Sequence, residues 1–112
     1  MIPRLLASTV RQSARKFPLV AILGPRQSGK TTLVQNLFPS KPYVSLEDPD
    51  KRAFAQSDPR GFLAGYAKGA LLDEVQRVPE LFPYLQGIVD HVRKPGMFIL
   101  TGSQNFLLLM CV

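Results

Sequence analysis

The stretch that decides the fold runs from residue 18 to residue 38, "PLVAILGPRQSGKTTLVQNLF". Its first six residues form a continuous apolar run containing Val20 and Ile22, as expected of a strand buried on both faces of a parallel sheet. The segment "SGKTTLVQNLF" carries a helical pattern. Between strand and helix lies "GPRQSGKTT", residues 24–32, with glycines at 24 and 29 and cations at 26 and 30. Gly24, Gly29, Lys30 and Thr31 satisfy G-x-x-x-x-G-K-[ST], a pattern that has chemical meaning only between a strand and a helix.

Each part of that loop has a physical role. Small residues let successive backbone N–H groups wrap phosphate oxygens, and the helix that follows turns its positive N-terminal end toward them. Lys30 reaches the β- and γ-phosphates of a nucleotide, and Thr31 offers a hydroxyl to Mg²⁺ bridging the same oxygens. A surface turn that merely starts a helix is the plainer alternative.

Working outward, three more apolar runs follow: "YVSL" at 43–46, "GALLDEV" at 69–75 and "MFILTGS" at 97–103. Helical patterns separate them, a broken one in "DPDKRAFAQSDPRGFLAGY" and a continuous one in "PELFPYLQGIVDHVRK". In the latter, Leu81, Leu85, Ile88, Val89 and Val92 fall on one face, with Pro79 suited to a first turn. Upstream, Arg4 to Lys16 spaces Leu5, Leu6, Thr9, Val10 and Ala14 as an amphipathic helix. Strands alternating with helices predict right-handed βαβ crossovers and a parallel sheet covered by helices.

The third strand ends in Asp73 and Glu74, at the carboxyl edge where parallel sheets bind ligands. Asp73 has the place of a carboxylate that holds Mg²⁺ or its waters. Adjacent strand residues point to opposite sides, so Glu74 is free to face an attacking water; a solvated acidic pair is the alternative. The acidic pair disfavours a kinase, and the lack of an N-K-x-D segment disfavours GTP. After the fourth strand, "TGSQN" clusters Thr101, Ser103, Gln104 and Asn105. These suit contact with a γ-phosphate or a water, or equally a capped turn opening a new helix, since Ser103 is a good N-cap.

Taken together, "GPRQSGKTTL", "LLDEVQRVPELF" and "FILTGSQNFLLL" resemble the Walker A, Walker B and sensor-1 segments of the prokaryotic AAA-type P-loop ATPases that carry an N-terminal AAA domain and a C-terminal DUF4143 domain. "YVSLEDPDKRAFAQSDPRGFL" resembles their linking region. The resemblance implies a P-loop NTPase fold, a three-layer α/β/α sandwich with a mainly parallel sheet. It also implies ATP and Mg²⁺ as cofactors, with Gly24, Pro25, Arg26, Gln27, Ser28, Gly29, Lys30, Thr31 and Thr32 at the phosphates. Thr31 and Asp73 then serve the metal, Glu74 activates water, and Ser103 or a neighbouring amide senses the γ-phosphate.

The family's strand order places the fourth strand between the first and the third, with a fifth outside the first. Such proteins are much longer, so the 112 residues read as an N-terminal fragment: a leading helix at 1–17 and a phosphate-loop core at 18–112, with no C-terminal domain. On this reading the sheet has about four strands, the fifth is missing, and the first is an unprotected edge. The tail "FLLLMCV" reads as the start of a helix. Without an arginine to complete the site, turnover is expected to be weak or nil, slower by about 10³ or more. A missing domain or an oligomer neighbour would supply the rest.

Bulk properties are compatible with these expectations. The composition is 46% hydrophobic and 20% charged, ordinary for a folded, water-soluble domain. No apolar stretch approaches the roughly 18 residues of a membrane span, and no signal peptide is evident, so a cytoplasmic location without membrane partners is expected. The one cysteine, Cys111, excludes an internal disulfide. A net charge of +6 attracts polyanions, nucleotide or nucleic acid alike; a nucleotide-dependent DNA- or protein-binding module without turnover is therefore the competing reading. His91 has no second ligand nearby and reads as a surface residue. Arg77 reads as a partner for Glu80.

Overall fold

The computed structural model describes residues 4–26 and 28–112. Helix α1 (Arg4–Lys16) leads into β1 (Leu19–Gly24), and α2 (Lys30–Leu37) follows the glycine-rich loop. Then come β2 (Tyr43–Ser45), α3 (Pro49–Ser57), α4 (Pro59–Ala64) and β3 (Ala70–Asp73). A 3₁₀ turn (Val75–Arg77), α5 (Leu81–Val92), β4 (Phe98–Ser103) and β5 (Leu108–Cys111) complete the order.

The sheet runs β2-β3-β4-β1-β5. β1 pairs in parallel with β4, β4 with β3 and β3 with β2, so β4 lies between β1 and β3 as the family resemblance implies. Alternation along these strands feeds two separate cores. Leu19, Ala21, Leu72, Phe98 and Leu100 pack with Phe62, Leu81, Leu85 and Val89 from α4 and α5. Val20, Ile22, Leu71 and Ile99 pack on the other face with Val10 and Ala14 of α1 and Val34 of α2. The result is three layers, α/β/α. Each large side chain buried in the two cores contributes about 1.5–3 kcal/mol.

Two expectations about the end of the chain are corrected. The sheet has five strands, and the apolar tail is not the start of a helix: Leu108–Cys111 forms β5, antiparallel to β1. β1 therefore has a neighbour on both sides. Leu109 and Cys111 turn toward the α1/α2 core, which a period of two satisfies. The broken helical stretch resolves into α3 and α4, each opened by an Asp-Pro pair. Asp48 accepts from the Asp50 amide at 3.0 Å and Asp58 from the Gly61 amide at 3.0 Å, while Pro49 and Pro59 sit where no amide is required. α5 starts at Leu81, past Pro79, and buries Leu81, Leu85 and Val89; Val92 remains exposed.

Candidate functional site

The loop after β1 turns on Gly29, whose φ of 89° lies in the left-handed region that glycine enters without strain. Gly29 caps α2 without a side-chain acceptor, so the first-turn amides keep their donors for a ligand. Lys30 is 5% exposed, and its ammonium donates to the Pro25 carbonyl at 3.0 Å. Among the described residues this is its single acceptor, a neutral one, and a buried ammonium so placed is costly unless an anion joins it. The Ser28 hydroxyl is likewise buried, with no hydrogen-bond partner among the described residues. Both features fit a phosphate group seated on this loop.

β3 brings the acids to the same place. Thr31 Oγ1 donates to Asp73 Oδ1 at 3.1 Å, joining the two predicted magnesium groups directly. Asp73 also accepts from Thr101 Oγ1 on Oδ1 at 2.5 Å and from Tyr43 on Oδ2 at 2.6 Å. Three hydroxyls thus fix its orientation, and a carboxylate is the donor type a hard cation requires. Burial first, then the hydrogen bond to Asp73, pushes the Tyr43 phenol up to about 12.

The expectation that Glu74 continues the strand and points opposite to Asp73 is corrected. β3 ends at Asp73, and Glu74 adopts φ 57°, a left-handed conformation uncommon for a non-glycine residue. This turn brings both carboxylates to one cavity of about 160 Å³, lined by Arg26, Lys30, Thr31, Glu47, Asp73 and Glu74. Such a volume suits phosphate groups and an ion, below the range that encloses a whole nucleotide. Glu74 is 6% exposed and accepts from Ser103 Oγ at 2.7 and 2.9 Å, from Arg26 at 3.2 Å and from Gln76 at 3.4 Å.

Most predicted site residues therefore converge. Gly24, Pro25, Arg26, Ser28, Gly29, Lys30 and Thr31 form the loop and the start of α2, while Thr32 faces outward. Gln27 lies outside the described residues. Ser103 ends β4 and caps no helix; it touches Glu74 and, with Pro25, Arg26, Gln104 and Asn105, lines a second cleft of about 390 Å³. Thr101 donates to Asp73. Arg77 reaches Glu47 at 3.6 Å, not Glu80. Sequence reading missed Tyr43, Glu47 and Gln76, whose roles depend on strand register and on the turn after β3. A larger cavity of about 550 Å³ between α4 and α5 is mainly apolar, with Leu63, Tyr84, Ile88 and Val92 in its wall beside Arg60 and His91, and holds neither the glycine-rich loop nor the acids after β3.

Comparison with known proteins agrees with this geometry. The family described as "AAA domain" matches residues 16–111. The chain belongs to the AAA domain family. This AAA domain is 36% identical over 100 residues to an uncharacterized protein of Mycobacterium bovis and, equally, to one of Mycobacterium tuberculosis. The alignments cover 88% of this chain and 23% of each relative, so the chain spans about a quarter of their length. No solved structure matches. AAA domains are nucleotide-binding modules of ATPase type, and the family generally binds ATP with Mg²⁺. Among the described residues of this AAA domain, no helix is long and apolar enough to cross a membrane.

Proposed function

We propose that this AAA domain binds Mg-ATP between the β1 loop and the end of β3 and hydrolyses it to ADP and phosphate. The observation that carries the reading is the 3.1 Å contact of Thr31 with Asp73, beside the buried, anion-seeking Lys30. Main-chain amides of residues 28–31 and the Lys30 ammonium hold the phosphate oxygens, and Thr31 and Asp73 would hold a magnesium ion, which would supply charge neutralisation at those oxygens. Glu74, positioned by Ser103, takes a proton from a water directed at the γ-phosphorus. The bond from that phosphorus to the ADP oxygen breaks as the water oxygen bonds to it. Lys30 and the loop amides stay fixed while charge builds, so reorganisation costs little.

The work that turnover drives, a C-terminal DUF4143 domain beyond this module and a cytoplasmic location all belong to the same proposal. The test is calorimetric titration with Mg-ATP together with phosphate release. Lys30→Ala removes binding; Glu74→Gln keeps binding and loses at least about 10² in turnover. Equal affinity in wild type and Lys30→Ala contradicts the loop assignment, and turnover unchanged in Glu74→Gln contradicts the base.

A further inference from the structure

Arg26 projects from the middle of the phosphate loop, yet its guanidinium is bound to acids. Nη1 donates to Glu74 at 3.2 Å and Nη2 to Glu47 at 2.7 Å, so one fork spans two carboxylates in the wall of the 160 Å³ cavity. Glu47 follows β2 and Glu74 follows β3, so the fork ties together the ends of two strands and the loop after a third. The two acids differ in what else holds them. Glu74 keeps Ser103 and Gln76 as donors without Arg26, whereas Glu47 keeps the longer contact to Arg77.

We propose that Arg26 is a phosphate-responsive clamp on Glu74: the terminal phosphate of a nucleoside triphosphate and the two carboxylates compete for the same guanidinium. Binding of that phosphate draws Arg26 away and uncovers the Glu74 carboxylate. The competition is close enough to switch. The Arg26 side chain is 59% exposed and that of Glu47 41%, so their ion pair is weak and easily exchanged, while the buried Glu74 holds the other arm of the fork at the longer distance of 3.2 Å. A phosphate offers a guanidinium a bidentate, more highly charged partner than either carboxylate. Once released, Glu74 does not swing free, because Ser103 still bonds both of its oxygens. It loses the guanidinium that covers one of its oxygens and retains the hydroxyl that orients it. A diphosphate, lacking the terminal group, leaves the clamp closed. Arg26 is thus a positioning residue that reports which nucleotide the loop holds.

This inference rests on the Mg-ATP reading, and a thermodynamic cycle separates the two. Affinity for a non-hydrolysable ATP analogue with Mg²⁺ is measured by calorimetry on the full chain for wild type, Glu74→Gln, Arg26→Met and the double variant. Removing the Glu74 charge relieves repulsion of phosphate in either background. Only when Arg26 is present does it also release the guanidinium. The expected gain from Glu74→Gln is therefore about fivefold larger with Arg26 than with Met at that position. A second cycle, Glu47→Gln against Arg26→Met, changes only side chains that are substantially exposed and predicts an excess of the same sign. Equal gains in both backgrounds of both cycles overturn the clamp and leave the nucleotide site standing. Absence of binding in wild type overturns both.

Discussion

Asp73 shows how much one carboxylate's usefulness depends on its neighbours. Thr31, Thr101 and Tyr43 each donate to it, from three different elements, so the group is held in place by neutral hydroxyls that leave its charge uncompensated. The reciprocal effect falls on Tyr43. Its phenol is raised to about 12 by burial and by the bond to Asp73, so the neutral form belongs to the folded state. The stability linked to this group is fully present below the ordinary phenol value of about 10 and is lost as pH rises toward 12. Ultraviolet titration of wild type minus Tyr43→Phe, with magnesium chelated, gives a midpoint near 12. Asp73→Asn lowers that midpoint without restoring the ordinary value, because burial remains; a midpoint near 10 in wild type contradicts the contact.

At the scale of elements, the turns that place the strands matter as much as the strands. Gly69 opens β3 with φ 99°, and a Cβ there would lie 1.8 Å from the Met97 carbonyl oxygen, where the β3 and β4 backbones meet. Gly69→Ala therefore destabilises the fold by at least about 2 kcal/mol in urea unfolding, well above an ordinary glycine-to-alanine change. β1, the loop and α2 were legible in the sequence because the motif has one structural setting, strand then helix. α3 and α4 were read only as one broken helical stretch, and the Asp48-Pro49 and Asp58-Pro59 pairs that open each of them went unused. β5 was not legible: "FLLLMCV" is apolar throughout, without the periodicity that separates strand from helix, and only pairing with β1 decides it. Glu74 was misread for a related reason. Nothing in "LLDEV" marks where the strand ends, so the left-handed turn that brings both acids to one side is a product of tertiary structure.

For the whole molecule, strand order is what makes a site. β4 lies between β1 and β3, so the loop after β1, the acid at the end of β3 and the hydroxyls of Thr101 and Ser103 meet at one edge of the sheet. Most of the residues that sequence reading assigned to phosphate and metal lie together at this edge. Of those it missed, Tyr43 and Glu47 come from β2 and the segment just after it, whose register against β3 only the fold supplies, and Gln76 from the turn after β3. The central claim is that the loop and the end of β3 share one magnesium-bridged polyphosphate. Its most direct test is the affinity for ATP with and without Mg²⁺, by calorimetry, in wild type and Asp73→Asn. The account predicts that magnesium tightens ATP binding at least about tenfold in wild type, ~1.4 kcal/mol, and by no more than about twofold in Asp73→Asn. An equal magnesium effect in both proteins would contradict it.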